Sequence, residues 1–174
     1  QNETLSLLAD GEVQLGADAT LAVQGTLLLG AAADVTLGSG VLTISAGGAI
    51  GGGGVVNGGL TLATDAEFQI VDPLAPLSVN GGTISLGNLT VSKLTLDASA
   101  LDVGETYTLI EGTGGATFDY GTVAFGVANA EDIGDGKRAF FQQGSLQLVV
   151  IPEPGVLGLL LMAAGLLAVR RRRR

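Results

Sequence analysis

The chain has 174 residues, enough for one domain with a sizeable core, and it carries 29 glycines, 14% charged residues and no Cys, His or Trp. Without cysteine there is no disulfide framework or thiolate metal site, and without histidine the usual general base and commonest metal ligand are missing. A net charge of −9 argues against nucleic-acid binding, and the many Leu and Val residues argue against plain disorder.

The chain opens at Gln1 with no initiator Met and no basic-then-apolar stretch, so a secretory leader is expected to have been removed from a longer precursor. From residue 5 to 97, apolar residues alternate with polar or small ones. The pairs Val13/Leu15, Leu21/Val23, Leu27/Leu29, Val35/Leu37, Leu42/Ile44, Leu60/Leu62, Phe68/Ile70, Ile84/Leu86, Leu89/Val91 and Leu94/Leu96 all sit two apart. That period belongs to strands with one buried face, and the Gly, Ala-Asp and Asn-Gly punctuation between them belongs to turns. The segments TLAVQGTLLL, TLGSGVLTIS, VVNGGLTLAT and LSVNGGTISL form a worn repeat, with marker glycines Gly25, Gly40, Gly59 and Gly82 spaced by 15, 19 and 23 residues. Short units of this kind cannot bury an apolar face singly, so the expected fold is all-β, with a repetitive β-solenoid (parallel β-helix-like) body. The alternative is a β-sandwich of Gly-linked hairpins. The run Gly51–Gly54 lacks the Lys-Ser/Thr of a phosphate loop and reads as a flexible turn.

After Asp97 the texture changes, and six of the seven aromatic residues lie between 107 and 141. Strands are expected at 105–111, 116–120, 122–127, 138–143 and 145–151, forming a C-terminal β cap over an otherwise open end. Most carboxylates, including Asp18, Asp34, Asp65, Asp97 and Asp102, occupy expected turn positions where Asp satisfies local backbone donors. A carboxylate-pair hydrolase would need them convergent, and a lyase would need Lys or Arg as base. Before residue 152 the only cations are Lys93, Lys137 and Arg138, no Gly-x-Ser-x-Gly nucleophile motif occurs, and the expectation is a non-enzyme. Glu131, Asp132 and Asp135 lie within five residues and are the one candidate calcium site, calcium being a cation that takes oxygen ligands. They lack EF-hand spacing, and a solvated acidic turn is the competing reading. No other cofactor is expected.

Charge is segregated along the chain. Residues 1–151 hold 16 acidic side chains against three basic ones, a net charge of −13, whereas Arg170, Arg171, Arg172, Arg173 and Arg174 end the sequence. Between them runs GVLGLLLMAAGLLAV, Gly155 to Val169, with no charged side chain and no polar face. As a helix it would be about 22 Å long, and with snorkelling arginines it reads as a short single transmembrane helix with the body outside the cytoplasm. Pro152-Glu153-Pro154 precedes it and is expected to end the last strand.

Pro152-Glu153-Pro154, then an apolar run, then a terminal Arg cluster, resembles the PEP-CTERM sorting signal of Gram-negative bacteria. The resemblance implies recognition by exosortase, a membrane-embedded cysteine protease-like enzyme that would cut near Pro152–Pro154 and release the body. It also implies that Arg170–Arg174 serve as a stop-transfer element. The wording GETYTLIEGTGG, FDYG and SLQLVVIPEP is similar to the terminal part of autotransporter-associated, repeat-rich surface proteins. The chain then divides into a repetitive region (1–97), an aromatic-containing β region (98–151) and a sorting signal (152–174). The resemblance implies an exported structural or adhesive protein of the cell surface or extracellular matrix. Before processing it would be held in the inner membrane; exopolysaccharide or further copies of itself are its expected partners. The alternatives are an exopolysaccharide-binding module, a polysaccharide-acting enzyme, or the subunit of a surface filament.

Overall fold

The computed structural model describes residues 4–7, 11–16 and 18–155. Its strands run in the order β1 (Thr4–Leu7), β2 (Glu12–Gln14), β3 (Thr20–Val23), β4 (Thr26–Leu29), β5 (Asp34–Ile44), β6 (Ala49–Gly52), β7 (Val55–Leu62) and β8 (Glu67–Gln69). There follow β9 (Leu77–Asn80), β10 (Thr83–Ser85), β11 (Leu94–Thr95), β12 (Thr106–Thr113), β13 (Thr117–Asp119), β14 (Glu131–Gly134), β15 (Lys137–Gln142) and β16 (Leu146–Pro152). Short 3-10 turns lie at Val91–Lys93, Ala98–Ala100 and Val127–Asn129, and Pro154 and Gly155 are helical.

Two sheets hold these strands. The smaller has the order β1-β4-β6-β8-β11 and is parallel throughout. The larger is mixed. Its parallel part joins β2 and β3 to β5, β5 to β7, β7 to β9 and β10, then β9 to β12 and β10 to β13. Its antiparallel part runs β12-β16-β15-β14. The period-2 pattern sends one set of side chains from both sheets into one core. Leu27, Leu29, Ile50 and Phe68 from the smaller sheet share it with Val35, Leu42, Ile44, Leu60, Val79 and Ile84 from the larger. The same cluster continues through Tyr107, Ile110, Ala139, Phe141, Leu146 and Leu148, so the core crosses the expected boundary at Asp97.

All-β architecture is what the structure has, but the finer expectations need correction. A β-solenoid body is not what forms, because the larger sheet is mixed and its C-terminal third is an antiparallel ladder. Nor is the alternative sandwich of Gly-linked hairpins, because strands up to β11 pair in parallel with partners further along the chain rather than with their sequence neighbours. Alternation cannot tell these arrangements apart, since side chains alternate faces identically in parallel and antiparallel ladders. Nor does the described fold include the expected transmembrane helix: among the described residues no helix is long and apolar enough to cross a membrane. The run 155–169 lies, after Gly155, outside the described residues, as do Arg170–Arg174.

Two local expectations also change. Gly51 and Gly52 are buried positions of β6, not part of a flexible turn. A Cβ on Gly51 would lie 2.1 Å from the Gln69 carbonyl oxygen, and one on Gly53 would lie 2.7 Å from Ala75 Cβ. These glycines are there because the Gln69 backbone and the Ala75 methyl leave no room for a side chain. The strand expected at 122–127 is replaced by turns, with a single parallel bridge between Phe125 and Phe141.

Candidate functional site

Three places on the folded body carry chemistry, and the first is the end of the last strand. Pro152 is the final residue of β16 and lies opposite Lys137 of β15. Proline is tolerated there because a terminal strand position need not donate to the ladder. The Glu153 N–H donates to the Gly136 carbonyl at 3.0 Å, while Pro154 and Gly155 are exposed. The motif is thus half embedded in the sheet and half outside it. Proline ends the strand one residue later than expected.

The second place is the outer face of the larger sheet. Parallel register aligns Gln14 with Thr36, Thr36 with Asn57, Asn57 with Asn80 and Asn80 with Thr113. Asn57 Nδ2 donates to both carboxylate oxygens of Asp34 at 2.9 Å, and Asn80 Nδ2 donates to Asn57 Oδ1 at 2.8 Å. The Thr36 hydroxyl donates to Asp34 Oδ1 at 2.7 Å. This is a side-chain ladder that rides on the backbone ladder, each amide donating to the strand before it. Sequence reasoning missed it, although a signal was present: Val56-Asn57-Gly58-Gly59 repeats as Val79-Asn80-Gly81-Gly82.

The third is an open cleft of about 370 Å³ lined by Pro73, Leu74, Pro76, Asp102, Glu105 and Tyr107, among others. Leu74 is 83% exposed, and Val71 and Val103 are exposed as well. The Tyr107 hydroxyl accepts the Asp102 N–H at 2.7 Å and so holds the 102–105 loop against β12.

The sequence-predicted residues are distributed rather than convergent. Glu131 and Asp132 are consecutive in β14 and therefore point to opposite sides, and Asp135 sits in the β14–β15 turn at φ 53°. Glu131 Oε2 accepts the Ser92 N–H and Asp132 Oδ1 accepts the Gly134 N–H, at 2.9 and 2.8 Å. Among the described residues no group of three or more carboxylates is placed to hold a metal ion. The three cations are each engaged. Lys93 Nζ donates to Asp65 at 2.8 Å and to Asn88 Oδ1 at 2.9 Å; Lys137 Nζ donates to the Ala98 and Leu101 carbonyls at 2.7 Å. Arg138 donates to the Ala130 carbonyl.

Asp65 also adopts a left-handed backbone, φ 65°, as the turn reading anticipates. The hydrogen bond and charge of Lys93 hold its carboxyl below the usual Asp range, and the bonds from Ser99 do the same for Asp97. A carboxyl whose pKa is lower folded than unfolded contributes stability above its unfolded value, about 3.9, and that contribution fades as pH falls through the folded value. Asp65→Asn is therefore expected to narrow the difference in melting temperature between pH 6 and pH 3. Thermal melts at both pH values check this; an unchanged difference would mean the pair is not linked to folding. Both carboxylates are solvated, so the effect is small.

Compared with protein-family models, with curated proteins and with solved structures, the chain matches none.

Proposed function

We propose that the chain is an exported structural or adhesive protein of a bacterial surface or extracellular matrix, sorted by its C-terminal segment. The observation that carries the reading is the order of three unlike pieces after the last strand: Pro152-Glu153-Pro154, the apolar run Gly155–Val169, and Arg170–Arg174. Their place relative to the body supports it. The core strand β16 is complete at Pro152, and Pro154 and Gly155 are exposed, so a cut there would leave the sheets intact. An exosortase-like membrane enzyme is the processing partner in this reading.

Matrix polysaccharide is the partner of the released body. The outer face of the larger sheet supports this, because its Thr, Asn and Asp side chains offer rows of donors and acceptors to a hydroxyl-rich chain. The engaged state of Lys93, Lys137 and Arg138 supports a scaffold over a lyase, which would need one of them as base. The test is intact-mass analysis of the native protein in membrane and extracellular fractions. The expected result is an extracellular species that ends near Pro152–Pro154 and lacks all five arginines. A full-length species confined to membranes would overturn the reading.

A further inference from the structure

Three unlike groups meet where the chain passes from β10 to β11. Asp65 lies in the β7–β8 turn, Asn88 in the turn after β10, and Lys93 ends the 3-10 segment just before β11. Lys93 Nζ lies 2.9 Å from Asn88 Oδ1 and 2.8 Å from Asp65 Oδ1. The Asp65 backbone N–H donates to the same Asn88 Oδ1 at 3.0 Å. Two donors on one atom mark it as the amide oxygen and turn the amide nitrogen, Nδ2, away from both.

These are the parts of an acyl-transfer site. An amine stands against an amide carbonyl, and a carboxylate stands within proton-transfer distance of the amine. A backbone N–H is fixed on the oxygen where negative charge would develop. The contact between Lys93 and Asn88 would be ordinary by itself; the carboxylate and the second donor give it chemistry.

The fold holds the groups in place. Leu89 and Val91, between Asn88 and Lys93, are 2% and 4% exposed, so the loop is pinned to the core at two points. The Lys93 N–H donates to the Thr90 carbonyl at 3.1 Å, and the Ser92 N–H to Glu131 Oε2 at 2.9 Å. Asp65 takes φ 65°, and from that turn both its N–H and its carboxylate reach the cluster. The Lys93 side chain is only 22% exposed, so little of it is free to swing into solvent.

We propose that Lys93 and Asn88 join in an intramolecular amide bond, with Asp65 as the proton carrier. Asp65 takes a proton from the Lys93 ammonium, and the electron pair left on Nζ attacks Asn88 Cγ. The C=O pair moves to Oδ1, where the Asp65 N–H meets it. The adduct then collapses and the Cγ–Nδ2 bond breaks. Two protons in all pass from Nζ to Nδ2 by way of the carboxylate, Nδ2 leaves as ammonium, and no oxidant or co-reactant is consumed. Asp65 also touches Nζ, but an ionised carboxylate resists attack, whereas the amide is neutral and its carbonyl is polarised by two donors. The product closes the loop that carries Leu89 and Val91 into a covalent ring beside β11. The Asp65–Lys93 ion pair, and the pH dependence expected of it, belong to the chain before this bond forms. The bond concerns the folded body and not its delivery, so this inference and the sorting reading can fail separately.

The test is mass spectrometry of the purified full chain, intact and after trypsin. The wild type is expected to be lighter by one ammonia at Asn88 and Lys93, and trypsin should leave it uncut after Lys93, whose amine is no longer a cation. Fragment spectra that place the loss on both residues separate it from ammonia lost at Gln1 or by ring closure at Asn88 alone. Lys93→Arg keeps the charge and should abolish the loss at Asn88 and restore cleavage after residue 93. Asp65→Asn keeps a side chain that tolerates positive φ and should slow bond formation at least about 100-fold. A wild type that trypsin cuts after Lys93, a loss of water in place of ammonia, or an Asp65→Asn chain that links as fast as wild type would each overturn the proposal. So would an ammonia loss at Asn88 that survives in Lys93→Arg.

Discussion

Gly52→Ala is expected to destabilise the protein by about 2–4 kcal/mol, the sum of a forced left-handed backbone and an overpacked contact. Gly52 closes β6 at φ 99°, a conformation that L side chains rarely adopt. A Cβ there would lie 1.9 Å from the Leu29 carbonyl oxygen and 2.8 Å from its carbon, on the neighbouring strand β4. Both partners are backbone, so relief requires the β4–β6 ladder to part rather than a side chain to turn. Two other glycines separate the contributions. Gly47 has φ 72° but nothing within 4 Å of its would-be Cβ, so Gly47→Ala should cost only the conformational part, about 1–2 kcal/mol. Gly16 has open space and no positive φ, so Gly16→Ala should be neutral or stabilising by up to about 1 kcal/mol. Urea denaturation of the three variants checks the ranking. Equal losses at Gly52 and Gly47 would show that the close approach to β4 is not a constraint.

The same residues show what the sequence could and could not convey. Alternation in LLL, VTL and LTI located the core correctly at Leu27, Leu29, Val35, Leu37, Leu42 and Ile44, because burial of every second residue follows from the pleat alone. It did not reveal which strands pair. Leu21, Leu42, Leu60 and Ile84 share one row of the larger sheet, yet they are 21, 18 and 24 residues apart, and this unevenness hid the register. Leu89 and Val91 kept the period and are buried, but they lie in a turn and a 3-10 segment because β10 ends at Ser85 and Gly87 takes φ 56°. The run Glu131–Gly134 looked like an acidic turn and is a strand: only Asp135-Gly136 turn, both at positive φ, and they close a tight antiparallel hairpin with β15 that the Asp-Gly pair could have signalled. Of the candidate site, Pro152-Glu153-Pro154 was legible as a motif. The Asp34-Asn57-Asn80 ladder was not, because it exists only once parallel register brings residues 23 apart together. The cleft beside Leu74 likewise depends on the 71–76 and 102–108 segments meeting, which no local pattern announces.

Phe141→Ala is expected to cost about 3–5 kcal/mol, the range for deleting a buried aromatic ring. Phe141 is 1% exposed and is the largest of the fully buried side chains. It lies opposite Leu148 in the antiparallel ladder, and its carbonyl accepts the Gly126 N–H at 3.0 Å, which fixes the 121–130 segment against β15. Its neighbour Phe140 points to the other side of the sheet and is only half-buried, so Phe140→Ala should cost distinctly less. The form of the transition matters as much as its midpoint. Because one core runs from Leu27 through Ile84 to Leu148, loss of the ring should lower the midpoint of a single transition with an unchanged denaturant slope. If instead Tyr107 and Tyr120 fluorescence reported unfolding of residues 98–152 while far-ultraviolet circular dichroism still showed the parallel strands, the two regions would be separable units. The continuity of the core across Asp97 would then be contact without cooperativity. A single transition means that the antiparallel ladder is part of what holds the parallel strands together.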